Sequence, residues 1–208
     1  MNIDYSLYLV SDRSLLGGRD LLQEIKKAIK GGVSIVQLRE KEASSRQFYN
    51  LAMTLKSELG SLGVPLIIND RLDIALAVDA DGLHIGQDDL PFSAARQLLG
   101  PDKIIGLSAS SRAEAEEGAR LGADYLGVGP LFATPTKADA AMPTGLALLA
   151  GLKKELSLPL VAIGGINLDN VAAIRKSGAD GVAVVSALMG SDDIEMAARR
   201  ILAKWQKG

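Results

Sequence analysis

One short sequence pattern occurs three times along the chain and limits the possible folds more than any other feature. The copies are Asp79–Gly86, Gly122–Gly129 and Gly178–Val185, and a looser copy begins at Gly31. Each has a small or turn-forming residue suited to ending a helix, followed by a short run of Val, Ile and Leu. Such a run is typical of a parallel strand that is buried on both faces. The repetition therefore predicts parallel strands alternating with helices.

The segments between these runs have the spacing of amphipathic helices. Ser44 and Gln47 form a capping box ahead of an apolar stripe that runs from Phe48 to Leu59. A second helix is predicted after Asp20, and a third, with a charged outer face, over Arg112–Leu121. The predicted strands, each followed by a helix, are 6–11, 34–39, 65–69, 82–85, 104–108, 125–129, 159–164 and 181–186.

Eight strand–helix units in 208 residues predict a (β/α)8 TIM barrel near the lower size limit of that fold. An open doubly wound sheet is the alternative, but no Gly-x-Gly-x-x-Gly follows the first predicted strand. Low-complexity or Pro/Ser-rich linkers are absent from the sequence. We therefore expect residues 1–208 to form a single barrel domain.

Composition excludes several classes of function. With 23 basic and 25 acidic residues, the chain has no excess of positive charge that would attract nucleic acid or anionic membranes. It has no cysteine and a single histidine, His84, so thiolate nucleophiles and multi-histidine metal sites are excluded. The N-terminus lacks the basic start of a signal peptide, and the first apolar run is too short to span a bilayer. We expect a cytoplasmic enzyme with small-molecule substrates, whose oligomeric state the sequence does not reveal.

Carboxylates follow two neighbouring predicted strands, at the end of a TIM barrel where active sites lie. Asp70 follows the third strand and Asp89 the fourth, so their side chains can converge on one ion. Mg2+ commonly binds one or two carboxylates and completes its shell with water and phosphate oxygens. The alternative role is helix capping, which we prefer for Asp88. For Asp70 and Asp89 we predict metal binding.

Cations lie near these carboxylates. Arg39 and Lys41 alternate after the second strand and can face the same side of the site, and Lys137 follows the sixth strand. A lone surface lysine is usually only solvated. Three cations beside a predicted metal site favour a diphosphate, whose departure requires charge neutralisation.

A second anion site is predicted beyond the last two strands. Gly164 and Gly165 allow close approach of the backbone, and Val185 and Ser186 open onto the next helix N-terminus. TIM barrels commonly bind phosphate at this place. A tight turn is the alternative explanation of the glycine pair.

Seven segments resemble the thiamine phosphate synthase family and cover nearly the whole chain in the family's order. They are QLREK at 37–41, IIND at 67–70, GLHIGQDDLP at 82–91, GLS at 106–108, GADYLGVGPLFATPTK at 122–137, AIGGI at 162–166 and GVAVVSA at 181–187. The resemblance implies a TIM-barrel transferase that uses Mg2+. Its two phosphorylated substrates would be 4-amino-2-methyl-5-pyrimidinylmethyl diphosphate and 4-methyl-5-(2-phosphoethyl)thiazole, or the 2-carboxy form of the latter. The products would be thiamine phosphate and pyrophosphate.

The resemblance also implies roles for individual residues. The pyrimidine diphosphate would be bound by Gln37, Arg39, Lys41, Asn69, Ser108 and Lys137. The Mg2+ ligands would be Asp70 and Asp89, and the thiazole phosphate contacts Thr134, Thr136, Gly165, Val185 and Ser186. We expect the catalytic contribution from Arg39, Lys41, Ser108 and Lys137.

Two other functions and the role of one residue stay open. A thiazole tautomerase of the same superfamily would need neither the diphosphate cations nor the two-Asp metal site, and a non-catalytic barrel could sense a phosphorylated metabolite. His84 lies within the fourth predicted strand. It either lines the pyrimidine pocket or is a hydrogen-bonded core residue. Trp205 is expected to pack the last helix.

Overall fold

Eight parallel strands pair in chain order and close into a barrel, because the last strand pairs with the first. The structure is a computed structural model that describes residues 3–133 and 143–208. The strands are β1 (Leu7–Val10), β2 (Ile35–Leu38), β3 (Leu66–Asn69), β4 (Gly82–Ile85), β5 (Ile104–Ala109), β6 (Tyr125–Val128), β7 (Leu160–Ile163) and β8 (Gly181–Val184). The predicted TIM barrel is confirmed, and every predicted strand exists.

Helices surround the barrel. They are α1 (Leu21–Lys30), α2 (Ser45–Leu62), α3 (Leu72–Ala77), α4 (Phe92–Leu99), α5 (Arg112–Leu121), α6 (Gly145–Glu155), α7 (Val171–Lys176), α8 (Ser186–Met189) and α9 (Ile194–Lys207). A short 3-10 helix, Arg13–Leu15, precedes α1. The prediction was wrong at the end of the last strand, because Ser186 begins α8 instead of extending β8. Among the described residues, none of the helices has the length and apolar character needed to span a membrane.

Local sequence signals explain where the helices begin. Ser44 and Gln47 form the expected capping box ahead of α2, each side chain bonded to the other residue's backbone N–H. Asp20 caps α1 by accepting the backbone N–H of Gln23 at 2.9 Å. Trp205 of α9 is 3% exposed, which confirms its predicted packing role.

The repeated segments share an aspartate that connects neighbouring strands at their amino ends. Each aspartate directly precedes its own strand and accepts a backbone N–H from the start of the preceding strand. The three bonds are Leu66 N to Asp81 Oδ2 at 2.9 Å, Ile105 N to Asp124 Oδ2 at 2.7 Å and Leu160 N to Asp180 Oδ2 at 2.8 Å. We call these three residues the strand-start aspartates. They lie at the end of the barrel opposite the predicted active site.

A helix cation approaches every strand-start aspartate. The pairs are Lys56 with Asp81 at 2.7 Å, Arg96 with Asp124 at 2.5 Å and Lys153 with Asp180 at 2.7 Å. In the looser copy of the repeat the corresponding residue is Ser34, whose backbone N–H donates to the Leu7 carbonyl at 3.0 Å. The repetition in the sequence therefore has a structural basis, since each copy joins a strand to its neighbour and, in three copies, to a helix.

Replacing Asp124 by Ala is expected to lower the free energy of unfolding by about 1–3 kcal/mol, because the Ile105 N–H loses its acceptor. Ile105 is fully buried, whereas the Asp124 carboxylate is 42% exposed, so loss of the ion pair with Arg96 contributes little. Urea denaturation measures the change. Asp102→Ala, at an exposed turn, is the control, and an equal effect of the two substitutions would contradict the proposed role of Asp124.

Candidate active site

Five polar side chains form a continuous hydrogen-bonded chain across the inside of the barrel. Gln37 Nε2 donates to Tyr8 Oη at 2.8 Å, and Tyr8 Oη lies 2.9 Å from Tyr125 Oη. His84 Nδ1 lies 2.9 Å from Tyr125 Oη, and His84 Nε2 lies 2.9 Å from Ser108 Oγ. We call this set the interior polar chain. It joins two residues, Gln37 and Ser108, that sequence resemblance assigns to the pyrimidine.

Two glycines provide the space that these rings occupy. A Cβ on Gly106 of β5 would lie 2.1 Å from the Tyr125 ring, and a Cβ on Gly127 of β6 would lie 3.0 Å from His84 Cε1. With this space available, the rings of His84 and Tyr125 stack at a centroid distance of 5.5 Å. Barrel interiors are filled with side chains, so a large residue on one strand requires a small one on the next.

Burial determines the protonation of the two tyrosines. Tyr8 and Tyr125 are each 1% exposed, and loss of hydration raises the pKa of both hydroxyls well above the usual range. Both therefore keep their protons at any pH at which an enzyme works. His84 is a buried, hydrogen-bonded residue at 8% exposure, and its direct bond to Ser108 also places it beside a predicted substrate contact.

The cations after β2 lie beside a cavity of about 1130 Å3, which both Arg39 and Lys41 line. Arg39 Nη1 lies 3.2 Å from Asp12 Oδ2, and the backbone N–H of Arg39 donates to Ser11 Oγ at 3.0 Å. Between the two cations, Glu40 is turned into the protein, where burial raises the pKa of its carboxyl group despite the neighbouring arginine from the 3-10 helix. Glu40 lines the same cavity as Arg39 and Lys41, so the shared side predicted for the two cations stays a prediction.

The two predicted metal ligands follow adjacent strands, since β3 pairs with β4 and Asn69 stands opposite His84. Asp70 has a positive φ of 61°, which is uncommon for a residue with a side chain and is found at functional sites. Its Oδ1 accepts a hydrogen bond from the Asn69 side chain. Asp89 Oδ2 accepts the Gly86 N–H at 2.7 Å.

Helix capping does not explain these carboxylates. The N-cap residue of α3 is Arg71 and that of α4 is Pro91, and within the described residues neither forms a side-chain cap. The expectation that Asp88 caps the following helix was therefore wrong. An N-cap at Asp88 would start the helix at Asp89, whereas α4 starts at Phe92.

The donor set at this rim suits Mg2+. Among residues 3–133 and 143–208 there is no group of three or more His, Asp or Glu placed to hold a metal ion. Mg2+ does not need such a group, because it is usually bound by one or two carboxylates together with water and substrate phosphate. Asp70 and Asp89, on adjacent strands, are the two carboxylates that could hold it.

The glycine pair after β7 serves local packing. Gly164 and Gly165 have φ values of 97° and 64°, and a Cβ on Gly165 would lie 2.7 Å from the Ala133 carbonyl oxygen. Asn170 Nδ2 donates to the Gly165 carbonyl at 2.9 Å, which fixes the orientation of that peptide group. The tight-turn explanation of these glycines is therefore correct, and a phosphate contact at Gly165 stays a prediction.

The segment after β8 presents the start of a short helix. Val185 is the N-cap residue of α8, and no described side chain caps this end, so the first N–H groups have no intrahelical partner. The other end is held by Arg19, which donates to the carbonyls of Met189 at 2.7 Å and Ser191 at 2.6 Å. The roles predicted for Val185 and Ser186 suit this geometry. Thr134, Thr136 and Lys137 lie outside the described residues.

Sequence reasoning missed the two tyrosines of the interior polar chain and the Asp12 partner of Arg39. A signal for Tyr125 was present in the repeat, because the equivalent positions of the other copies hold Gly82 and Gly181. A large polar residue at a position that is otherwise glycine indicates an inward side chain with a specific role. Tyr8 has no such signal, since it stands within an apolar strand.

The closed barrel and its polar rim define the chain as a (β/α)8-barrel protein with a candidate active site at the carboxyl ends of its strands. The family model for thiamine monophosphate synthase matches residues 7–188. The chain belongs to this family, and it is a transferase.

Individual relatives agree over the full length. The chain is 67% identical over 207 residues to a thiamine-phosphate synthase of Syntrophomonas wolfei, covering 100% of this chain and 99% of the relative. It is 52% identical to the enzyme of Desulfitobacterium hafniense strain Y51, covering 99% and 100%. The solved thiamine phosphate pyrophosphorylase of Pyrococcus furiosus superposes with a TM-score of 0.89 at 37% identity, covering 98% of this chain and 96% of the other.

More distant structural likeness shows the fold alone. The 3-hexulose-6-phosphate synthase of Salmonella typhimurium has a TM-score of 0.74 at 18% identity, covering 97% of this chain and 99% of the other. A shared barrel fold does not establish a shared function, because function depends on the residues of the site.

Replacing Gly106 by Ala is expected to lower the free energy of unfolding by about 2 kcal/mol or more, because the added methyl overlaps the Tyr125 ring inside a closed barrel. Gly60→Ala is the matched control. Gly60 lies in α2 with open space around it, so the same change should raise stability by roughly 0.5–1 kcal/mol. Chemical denaturation measures both, and a stability change of the same sign at the two sites would contradict the packing argument.

Proposed function

We propose that this chain joins 4-amino-2-methyl-5-pyrimidinylmethyl diphosphate to 4-methyl-5-(2-phosphoethyl)thiazole, or to its 2-carboxy form. The products are thiamine phosphate and pyrophosphate, and the 2-carboxy form would in addition release its carboxylate as CO2. The observation that carries the proposal is the 67% identity to a thiamine-phosphate synthase over 207 residues, covering 100% of this chain and 99% of the relative. The polar groups at the rim are those that two anionic substrates require.

The pyrimidine diphosphate occupies the mouth of β2, β3 and β5 in this proposal. Gln37, Asn69 and Ser108 stand at or near the carboxyl ends of these strands and contact the ring. Arg39, Lys41 and Lys137 contact the diphosphate. Support comes from the cavity that Arg39 and Lys41 share, which has room for a charged group. Cations at this place stabilise the negative charge that grows on the departing diphosphate.

Asp70 and Asp89 bind Mg2+ in the proposed enzyme. The bound ion supplies further neutralisation of charge on the diphosphate oxygens. Support comes from the adjacency of β3 and β4 and from the absence, among described residues, of a helix-capping role for either carboxylate.

The proposed reaction is a dissociative substitution. The bond between the methylene carbon and the diphosphate oxygen breaks, and its electron pair leaves with the oxygen. Electron release from the 4-amino group stabilises the resulting cation, and the lone pair of the thiazole nitrogen then forms the new carbon–nitrogen bond. No proton is lost from that nitrogen, so a general base is not needed. Catalysis therefore consists of positioning two molecules and stabilising the leaving group.

The thiazole phosphate is placed at the start of α8. Gly165, Val185 and Ser186 would contact it, together with Thr134 and Thr136. Support comes from the N–H groups at the start of α8, which carry a partial positive charge suited to an anion. Because Arg19 holds the far end of this short helix, the N–H groups are already oriented before the ligand arrives.

Incubation of the protein with both substrates and Mg2+ tests the proposal, with thiamine phosphate and pyrophosphate detected as products. We expect EDTA to abolish both and added Mg2+ to restore them. Isomerisation of the thiazole without carbon–nitrogen bond formation would indicate a tautomerase instead. Tight binding without turnover would indicate a sensor.

The metal site is tested in the same assay with Asp89→Asn, for which we expect the Mg2+ concentration at half-maximal rate to rise about 10-fold or more. Asparagine keeps an oxygen that can accept the Gly86 N–H, so the loop is retained. Asp88→Asn removes the neighbouring charge and should leave the Mg2+ dependence unchanged. Equal Mg2+ dependence in all three proteins would remove Asp89 from the metal site.

Lys137→Ala is expected to slow the chemical step by roughly 10²-fold or more, by analogy with the loss of one donor that stabilises developing charge. Single-turnover kinetics at saturating substrate isolate that step from product release. Lys154→Ala, at an exposed position of α6, is the control for loss of a positive charge. An unchanged bond-forming rate in Lys137→Ala would refute the role of this lysine.

A further inference from the structure

The loop between β1 and α1, residues 11–20, holds Arg39 at two points, and its aspartate has been given no role in the reaction. We propose that Asp12 is a positioning residue, which orients the Arg39 guanidinium so that it stabilises the departing diphosphate. This inference rests on the proposed function, because it assumes that Arg39 contacts the diphosphate.

The backbone of Arg39 is fixed by the residue before Asp12. Ser11 directly follows β1 and is fully buried. Its N–H donates to the Gln37 carbonyl at 2.9 Å, and its Oγ accepts the Arg39 N–H at 3.0 Å. A buried N–H that lost this acceptor would be left without a partner, which is unfavourable. The starting point of the Arg39 side chain is therefore set before any ligand binds.

Asp12 fixes the other end of that side chain. Arg39 Nη1 lies 3.2 Å from Asp12 Oδ2, and the two side chains are only 14% and 16% exposed. In the part of the chain that the structure describes, the guanidinium forms no other hydrogen bond or ion pair. A pair with so little exposure is screened less by salt than a surface pair. Asp12 is thus the group that determines where the guanidinium lies.

The carboxylate of Asp12 is itself held in place. Asp12 is the N-cap residue of the 3-10 helix Arg13–Leu15, and its Oδ1 accepts the Ser14 N–H at 3.1 Å and the Ser14 hydroxyl at 2.6 Å. One carboxylate oxygen therefore serves the helix and the other serves Arg39. Rotation of the carboxylate away from Arg39 would also break the cap, so Asp12 is a fixed counter-ion.

The pairing leaves most of the guanidinium available to a ligand. A guanidinium has five N–H donors, and Asp12 accepts from only one nitrogen, Nη1. Within residues 3–133 and 143–208, Nε and Nη2 of Arg39 donate to no protein group. Two such donors suit bidentate contact with phosphate oxygens. A donor that is oriented in advance needs no reorganisation when negative charge develops on the leaving group.

Fastening of the loop is the alternative role for Asp12, but the loop has other attachments. Arg13 Nη1 lies 3.5 Å from Glu40 Oε2. Arg19 donates to two backbone carbonyls, one at the end of α8 and one beyond it, at 2.7 and 2.6 Å. None of these contacts uses the Asp12 side chain. Loss of its charge should therefore leave the loop in place and act on Arg39.

Asp12→Asn tests the proposal in single-turnover kinetics with both substrates and Mg2+. Asparagine keeps an oxygen for the Ser14 N–H but places an uncharged NH2 donor opposite Arg39 Nη1. We expect the bond-forming rate to fall about 10-fold, less than the roughly 10²-fold loss expected when the donor itself is removed in Arg39→Ala. A rate equal to that of the wild type would overturn the proposal.

Inhibition by pyrophosphate separates orientation from general damage to the site. In Asp12→Asn it should not weaken, because Arg39 keeps its charge and a carboxylate that repels the anion is gone. In Arg39→Ala it should weaken. An equal weakening in both variants would show that Asp12 maintains the whole site, and the proposal would fail.

A double-mutant cycle shows whether Asp12 acts through Arg39. In an Arg39→Ala background, Asp12→Asn should change the bond-forming rate by less than about 2-fold, because the group that it orients is absent. A further loss as large as in the wild-type background would mean that Asp12 acts on something else, and this result would overturn the inference.

Asp20→Asn is the matched control for loss of a negative charge. Asp20 lines the same cavity and caps α1, and asparagine is an equally good N-cap residue. Asp20 forms no ion pair with Arg39 and is exposed, so this variant should keep the wild-type rate. If it slows the reaction as much as Asp12→Asn does, the cause is charge alone and the inference fails.

The outcomes distinguish this inference from the proposed function. An active wild type whose rate is unaffected by Asp12→Asn would overturn the role of Asp12 and leave the synthase activity intact. A wild type that forms no thiamine phosphate would overturn the proposed function, and this inference with it. If Asp12→Asn does not fold, Asp12→Ser takes its place in the cycle, because a serine hydroxyl can also cap the 3-10 helix.

Discussion

Hydrogen bonds from the strand-start aspartates hold three pairs of neighbouring strands in register at the amino end of the barrel. At each strand-start aspartate, one carboxylate accepts a backbone N–H of the neighbouring strand and a cation from a surrounding helix, so a single side chain joins three elements. A closed sheet with a shifted register would misplace every inward side chain. Fixing the strand starts therefore also fixes where the strands end, at the opposite rim where the chemistry takes place.

In the interior of the barrel, large residues on one strand stand beside small residues on the neighbouring strand. Tyr125 and His84 fill space that Gly106 and Gly127 leave open, and these rings carry hydrogen bonds from one side of the mouth to the other. A packed barrel core is usually apolar, so a polar chain at this depth is stable only because each of its groups has a partner. The need for full hydrogen bonding couples the orientations of these side chains to one another, which does not happen in an apolar core.

Much of the fold and of the rim could be predicted from local sequence. The capping box at Ser44, the bounds of α5 and all eight strands were predicted because each depends on residues close together in the chain. The error at Ser186 and the mistaken cap at Asp88 arose where a strand passes into a loop, because geometry there is determined by neighbouring strands. The glycine pair at Gly164 illustrates the same limit, since its packing partner lies in a different loop.

The sequence by itself determined the barrel, the family and which polar residues stand at the rim, because strand periodicity and the order of motifs are properties of the chain alone. Only the tertiary structure decided how those residues are connected. Tyr8, Gln37 and Tyr125 are far apart in sequence and meet because the barrel closes. A hydrogen bond between two inward side chains forms only if the donor–acceptor distance across the barrel is correct to within about a few tenths of an ångström. No local sequence pattern encodes such a distance.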